Sequence, residues 1–185
     1  MIYQQLHLTL PAWIHDEVEP ERIYPDAESR IALAIQLSRR NVDHRSGGPF
    51  GAAVFTGSGR PVGVGVNRVV PHNCSVAHAE VMALATSQQR LQNFRLNQGG
   101  ERITLATSAQ PCSMCYGALI WAGIDELLIA ARADDVQTLA GFDEGPLPAD
   151  WAGELRKRGI EVHTDLMRDH ARDVLRDYGE SGLVY

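Results

Sequence analysis

Two short stretches hold residue types that together could do chemistry. His78-Ala79-Glu80 sets an imidazole and a carboxylate two residues apart, at the mouth of an apolar helical run. Pro111-Cys112-Ser113-Met114-Cys115 sets two thiols at metal-ligand spacing where another apolar run opens. One histidine and two cysteines make three zinc ligands. A catalytic zinc takes that number and leaves a fourth position to water, whereas a structural zinc is closed by four. Two thiolates and a neutral imidazole cancel the metal charge, so the water needs a nearby base. Glu80 is suited to take its proton and pass it on. Both ligand sets fall at expected helix N-termini, whose partial positive charge favours thiolate over thiol. The plain alternative is a stabilising zinc knot closed by Cys74, the remaining cysteine, which lies near His78 in sequence. A closed site leaves Glu80 without work. Zinc is preferred over iron because the donors are two thiolates and one imidazole.

The elements that must position these residues follow from breakers and periodicity. Residues 1–25, with Pro11, Pro20 and Pro25, read as an irregular arm packed over a surface. Asp26 caps an expected helix with Ile31, Ile35, Ser38 and Val42 at helical spacing, stopped by Ser46-Gly47-Gly48-Pro49. Residues 50–55 and 61–66 form a hairpin around Gly57-Ser58-Gly59. Ser75 is the expected cap of a helix starting at Ala77, with Val81, Leu84 and Ala85 inward. A strand over 103–107 leads to a helix begun by Pro111 and ended by Gly123. A continuous apolar strand over 126–131 follows, then a short helix over 134–140 and a turn-rich loop over 141–146. A helix over 151–158, a strand over 160–163 and a final helix over 166–178 complete the chain. Alternating strands and helices give an α/β layered domain whose later strands are mostly parallel.

The bulk numbers set limits. At 185 residues the chain has the size of a single domain, expected over 1–185, with 44% hydrophobic and 22% charged residues. A formal net charge of -6 argues against a sequence-independent grip on nucleic acid. No apolar run reaches bilayer-spanning length, so no membrane is expected. The first residues carry neither a basic cluster nor an apolar core, so no signal peptide is expected. Three cysteines, two of them in the Cys-x-x-Cys, argue against a disulfide framework and for a reducing cytoplasm. Cys74 reads as a small buried filler.

His-x-Glu followed by Pro-Cys-x-x-Cys is the signature of zinc-dependent base deaminases. The chain resembles the cytidine-deaminase-like superfamily over residues 48–145, and within it the bacterial and plant type of guanine deaminase. Gly48-Pro49-Phe50-Gly51-Ala52, Asn67 and Ile120-Trp121-Ala122 match, as do the two zinc elements. The most specific match is Gly141-Phe142-Asp143-Glu144, which resembles the Gly-Phe-Asp-acid loop of that group. The resemblance implies a three-layer α/β/α sandwich around a central mixed five-stranded sheet. It implies one Zn2+ per chain on His78, Cys112 and Cys115, with Glu80 and Glu144 catalytic.

It further implies that Asn67 reads the oxygen and ring-nitrogen edge of a purine, and places Ala79 among the substrate-binding residues. Phe50 and Trp121 match positions that wall the base pocket, and Tyr185 matches a terminal tyrosine that closes it, in some members from the partner chain. The plain alternatives are a turn residue for Asn67, core for Phe50 and Trp121, and an exposed loop acid for Glu144. The expected activity is hydrolysis of guanine to xanthine and ammonia, with ammeline a second candidate. The expected assembly is a homodimer, possible by exchange of the C-terminal segment over 166–185. The sequence departs from the superfamily at Gln110, where glutamate is usual. Rival readings are a tRNA adenosine deaminase, disfavoured by the acidic charge, and a free cytosine or nucleoside deaminase. A zinc-stabilised interaction module is the non-enzymatic alternative.

Overall fold

The computed structural model describes residues 4–182. One sheet organises them: β1 (Gly51–Thr56), β2 (Pro61–Val66), β3 (Ile103–Ala109), β4 (Glu126–Ala131) and β5 (Glu161–His163), in the order β2-β1-β3-β4-β5. β1 runs antiparallel to both β2 and β3, and β3, β4 and β5 are parallel to one another. The sheet is therefore mixed and five-stranded, as expected. The helices are α1 (Ile14–Glu17), α2 (Ala27–Asp43), α3 (Val69–His72), α4 (Ala79–Leu91), α5 (Ser113–Ala122), α6 (Ala133–Ala140), α7 (Trp151–Arg156) and α8 (Arg168–Glu180).

Strand alternation divides the helices into two layers. Ala53, Phe55, Ala106, Leu128 and Ala130 pack one face against Ile31, Leu37, Val136, Val174 and Leu175 of α2, α6 and α8. Ala52, Val54, Leu105, Leu127 and Ile129 pack the other against Ala83, Leu84, Leu119 and Leu155 of α4, α5 and α7. Each of the larger side chains, from Val to Phe, contributes about 1.5–3 kcal/mol on burial. β3 and β4 are buried along almost their whole length because both their faces are covered.

Local sequence sets most boundaries. Asp26 caps α2 through the Ser29 N–H at 2.8 Å, and the Ser29 hydroxyl reciprocates toward the Asp26 backbone N–H. α5 ends at Gly123, whose φ of 75° is the left-handed conformation that glycine adopts without strain. Three expectations change. Ser75 caps nothing: α4 begins two residues later than expected, with His78 at its N-cap. Pro111 precedes α5 instead of opening it, because Cys112 takes the N-cap and its sulfur accepts the Cys115 N–H. The inward face of α4 is formed by Ala79, Met82, Ala83 and Leu84, leaving Val81 half-buried and Ala85 exposed. The shifted start rotates the apolar stripe.

Glycine in β2 decides how close α4 can come. A Cβ on Gly65 would run into the Ala79 carbonyl and the Ala83 nitrogen, and one on Gly63 would meet Ser87. Backbone lies against backbone there, so the first turn of α4 sits directly on the sheet. On the other face, α6 is clamped by buried Asp135, which accepts from Arg168 at 2.7 and 2.8 Å and from Arg172 at 2.8 Å. That clamp fixes the helix from which the loop over 141–146 departs. α8 packs into the core layer beneath the sheet through Ala171, Val174 and Leu175. Tyr185 lies outside the described residues.

Gly65→Ala should destabilise the protein by about 1–3 kcal/mol through overpacking, and should lower its zinc content as well. Gly57→Ala is the control, because its Cβ would meet Arg102 at an ordinary 3.5 Å. Denaturant unfolding and metal analysis of the two variants check this; equal stability would refute the close-approach argument.

Candidate active site

α4 and α5 present their N-termini side by side. His78 is the N-cap of α4 and Cys112 the N-cap of α5, with Cys115 in the first turn. The ligand atoms of His78, Cys112 and Cys115 lie within 4.8 Å of one another, and both cysteines are buried. His78 Nδ1 stands 3.5 Å from Cys112 Sγ. This donor set, two sulfurs and one imidazole at helix N-termini, fits a tetrahedral zinc with one position left to a non-protein ligand. Cys74 is half-buried and outside this group, so the closed knot finds no fourth ligand in it.

The protonation of the metal-free cluster follows from its contacts. Cys112 is lowered to about 4, first by a hydrogen bond from the Cys115 thiol and further by His78. Cys115 is pushed far up, by holding that same proton and by burial. His78 is raised, chiefly by its contact with the Cys112 sulfur. One thiolate gathers the protons of its neighbours, and a metal ion would displace them.

Above the cluster is a cavity of about 150 Å3 whose wall includes His78, Ala79 and Glu80. Glu80 follows two residues after the imidazole on α4 and is buried. Burial pushes its carboxyl up to about 7, and the Cys112 thiolate adds to the shift. Phe50 and Asn67, from the two ends of the hairpin, form another part of the wall. Asn67 is buried, and its Oδ1 accepts from the Gly48 and Val69 N–H groups, each at 3.3 Å.

The loop after α6 closes the remaining side with Phe142, Asp143 and Glu144. It is pinned to the metal-ligand helix: the Ser113 N–H donates to the Glu144 carbonyl at 2.9 Å. Asp143 folds it by accepting the Gly145 N–H at 2.8 Å. Phe142 lies between Phe50 and Tyr178, with ring centroids 5.3 and 5.9 Å away. Glu144 is raised to about 8, first by burial and then by the charge of Glu80. Two carboxyls facing one small cavity resist simultaneous ionisation.

Of the residues singled out from the sequence, Phe50, Asn67, His78, Ala79, Glu80 and Glu144 line this one cavity. Trp121 does not. On α5 the inward positions are Cys115, Leu119 and Ala122, which turns Trp121 to the opposite side, where it is 80% exposed. It borders a separate groove with Phe94, Leu84 and Ala118. Phe142, Asp143 and Gln110 line the cavity although no site role was expected of them. The Gly-Phe-Asp-acid match held the signal for the first two. Gln110 stood out only as a departure. A second acidic group, Glu126, Glu161 and His163, is engaged by Arg102, which lies 2.7 Å from Glu161.

The mixed sheet, the paired helix N-termini and the His/Cys/Cys cluster define a zinc-binding deaminase fold. Residues 25–131 match the family described as the cytidine and deoxycytidylate deaminase zinc-binding region, and the chain belongs to that family of zinc-dependent hydrolytic deaminases. It is similar to the guanine deaminase of Bacillus subtilis (strain 168), 32% identical over 143 residues, covering 77% of this chain and 88% of that protein. Among solved structures it is similar to a guanine deaminase from Nitrosomonas europaea, with 43% identity and a TM-score of 0.91 over 97% of this chain and 99% of that one. A mutant of NE0047 in complex with 8-azaguanine gives 44% identity and a TM-score of 0.91, over 96% of this chain and 98% of that one. No helix among the described residues is long and apolar enough to cross a membrane.

The raised Glu144 carboxyl sets a sign for stability. The folded chain holds its proton up to about 8 while the ordinary value is 4.5, so the contribution is full below 4.5 and is lost as pH rises through 8. Glu144→Gln, which cannot ionise, should therefore gain stability over the metal-free parent as pH is raised from about 5 to 8, with no gain at pH 4. Unfolding curves at three pH values check this. A constant difference would contradict it.

Proposed function

We propose that the chain converts guanine and water to xanthine and ammonia, with one zinc held by His78, Cys112 and Cys115. The observation that carries this reading is the convergence of two carboxyls, Glu80 and Glu144, on the cavity beside those ligands. The likeness to guanine deaminases over almost the whole chain supports it. A zinc ion there supplies a water acidified enough to act as a nucleophile at neutral pH. Glu80, buried next to the ligands, takes a proton from that water and delivers it to the ring nitrogen beside the amino-bearing carbon. Glu144, on the loop that closes the cavity, serves the departing amino group, a duty that it shares with Glu80. Asn67 recognises the oxygen and ring-nitrogen edge of the base, Ala79 borders it, and Phe50 supplies an aromatic wall, with Phe142 behind it.

The same reading makes the protein a cytoplasmic homodimer in purine metabolism. A reducing compartment keeps both ligand thiols available to metal. Exposed Trp121 and Phe94 beside an apolar groove on α4 and α5 are the surface on which a second copy would sit. Ammeline, an aminotriazine with a guanine-like amide edge, is a second substrate of this pocket. The net charge of -6 speaks for a free base over a tRNA.

Zinc-loaded protein offered guanine, ammeline, cytosine, cytidine and adenine in parallel should release ammonia from guanine. Turnover of cytosine or adenine alone would overturn the substrate, and silence on all five would overturn the free-base reading in favour of a tRNA substrate or a non-catalytic module. Glu80→Gln should keep its zinc and lose about 10²–10⁴-fold in kcat; substantial residual activity would remove Glu80 as the proton carrier. Trp121→Glu should sediment as a monomer at concentrations where the parent is a dimer. An unchanged sedimentation profile would move the interface elsewhere.

A further inference from the structure

We propose that Asn41 is the positioning residue of the pocket, holding Asn67 in place through a hydrogen-bond chain that begins at Trp13 of the N-terminal arm. The inference rests on the reading of Asn67 as a substrate-recognising residue. Asn41 lies on α2, fully buried, and does not line the cavity. Its Nδ2 donates to two carbonyls, Gly48 at 2.8 Å and Asn67 at 3.0 Å. Gly48 in turn donates its N–H to Asn67 Oδ1 at 3.3 Å. A single amide thus holds the Asn67 main chain directly and the Asn67 side chain through one intervening residue.

The orientation of the Asn41 amide is fixed from behind. Its Oδ1 accepts the Ser46 hydroxyl at 2.7 Å, and Ser46 Oγ accepts the Trp13 indole N–H at 3.0 Å. The indole is itself held by stacking on His44, with centroids 5.3 Å apart and planes 10° from parallel. Donation runs one way, from indole to hydroxyl to amide to two carbonyls. A flipped Asn41 amide would set its oxygen against both carbonyls, so only one orientation satisfies the network. Each bond polarises the next, and the low-dielectric setting strengthens the chain.

Two further contacts tie the same loops together. The Arg68 guanidinium donates to the Ser46 carbonyl at 2.5 Å and to the Thr9 carbonyl of the arm at 3.2 Å. Gly47 leaves no room for a side chain, since a Cβ there would strike the Asn67 carbonyl and Asn41 Nδ2. The arm over residues 9–13 therefore fastens the segments on either side of Asn67. The arm's function is to buttress the base-recognition edge of the pocket, remote from the metal cluster.

The test uses zinc-loaded full-length protein and the variants Ser46→Ala, Ser46→Thr, Asn41→Ala and Trp13→Phe, alone and combined with Asn67→Ala. Ser46→Ala removes one hydroxyl from a half-buried loop and Trp13→Phe retains the ring, so both keep the fold if Asn41→Ala does not. The first readout needs no substrate: the side-chain amide resonances of Asn67, identified by their loss in Asn67→Ala. They should shift or broaden in Ser46→Ala and Trp13→Phe and return in Ser46→Thr, with zinc content unchanged. The second readout is kinetic. Ser46→Ala should raise KM for guanine by about tenfold with kcat within about twofold, and should add nothing in the Asn67→Ala background. Asn67 resonances that stay in place, or effects that add in the double variant, would overturn the proposal. If the parent does not deaminate guanine, the substrate reading falls while the amide resonances still decide the role of Asn41.

Discussion

The closeness of α4 to β2 is the constraint on which the site depends. Side chains from two helices can cluster as candidate ligands of one ion only if the helix N-termini converge within a few ångströms, and His78 and Cys112 are the caps of those helices. α5 is delivered by β3 through the short link Gln110-Pro111-Cys112. α4 has no such tether, since residues 67–78 intervene between it and β2. Its position comes from contact, with Gly63 and Gly65 leaving its backbone flat on the strand. Side chains at those two positions would lift the helix and take the imidazole away from the sulfurs.

Convergence creates an electrostatic problem that bound protons or an added cation can relieve. Two thiols, Glu80 and Glu144 crowd a small, partly dry space, and like charges there raise one another's affinity for protons. In the metal-free chain the Cys112 sulfur takes most of the negative charge, helped by the Cys115 thiol and His78. The two carboxyls are left with affinities near neutral pH, the range in which a group can both accept and release a proton. Burial that would be a defect in a structural carboxylate is thus useful at this position.

The rest of the chain holds the walls. Phe142 joins the loop over 141–146 to Phe50 on one side and to Tyr178 of α8 on the other, and Asp135 locks α6 to α8. The opposite wall is held by polar contacts, with α2, the 46–48 loop and the N-terminal arm meeting at Asn67. Aromatic packing secures one wall and a hydrogen-bond chain the other, so the two can respond independently to substitution.

The sequence by itself determined the His/Cys/Cys cluster, the carboxyl beside it and the layered α/β class. Each of these is encoded over a few neighbouring residues: His78 to Glu80, Cys112 to Cys115, and the alternation that buries both faces of β3 and β4. Capping was legible where the side chain itself bonds, as at Asp26, and misread at Ser75, because α4 starts after His78 with no side-chain cap at all. Only the tertiary structure decided which aromatic faces the cavity. Trp121 and Phe142 are alike in sequence as large apolar residues near a motif. Yet the phase of α5 set by Cys115 and Leu119 turns Trp121 outward, while the loop pinned to Ser113 brings Phe142 against the wall. Nor does the sequence reveal the line from Trp13 through Ser46 and Asn41 to Asn67, for its members are 54 positions apart at the ends and meet only when α2 lies across the sheet. Local spacing encodes chemistry held on one turn of backbone; contacts between distant segments depend on how whole elements pack.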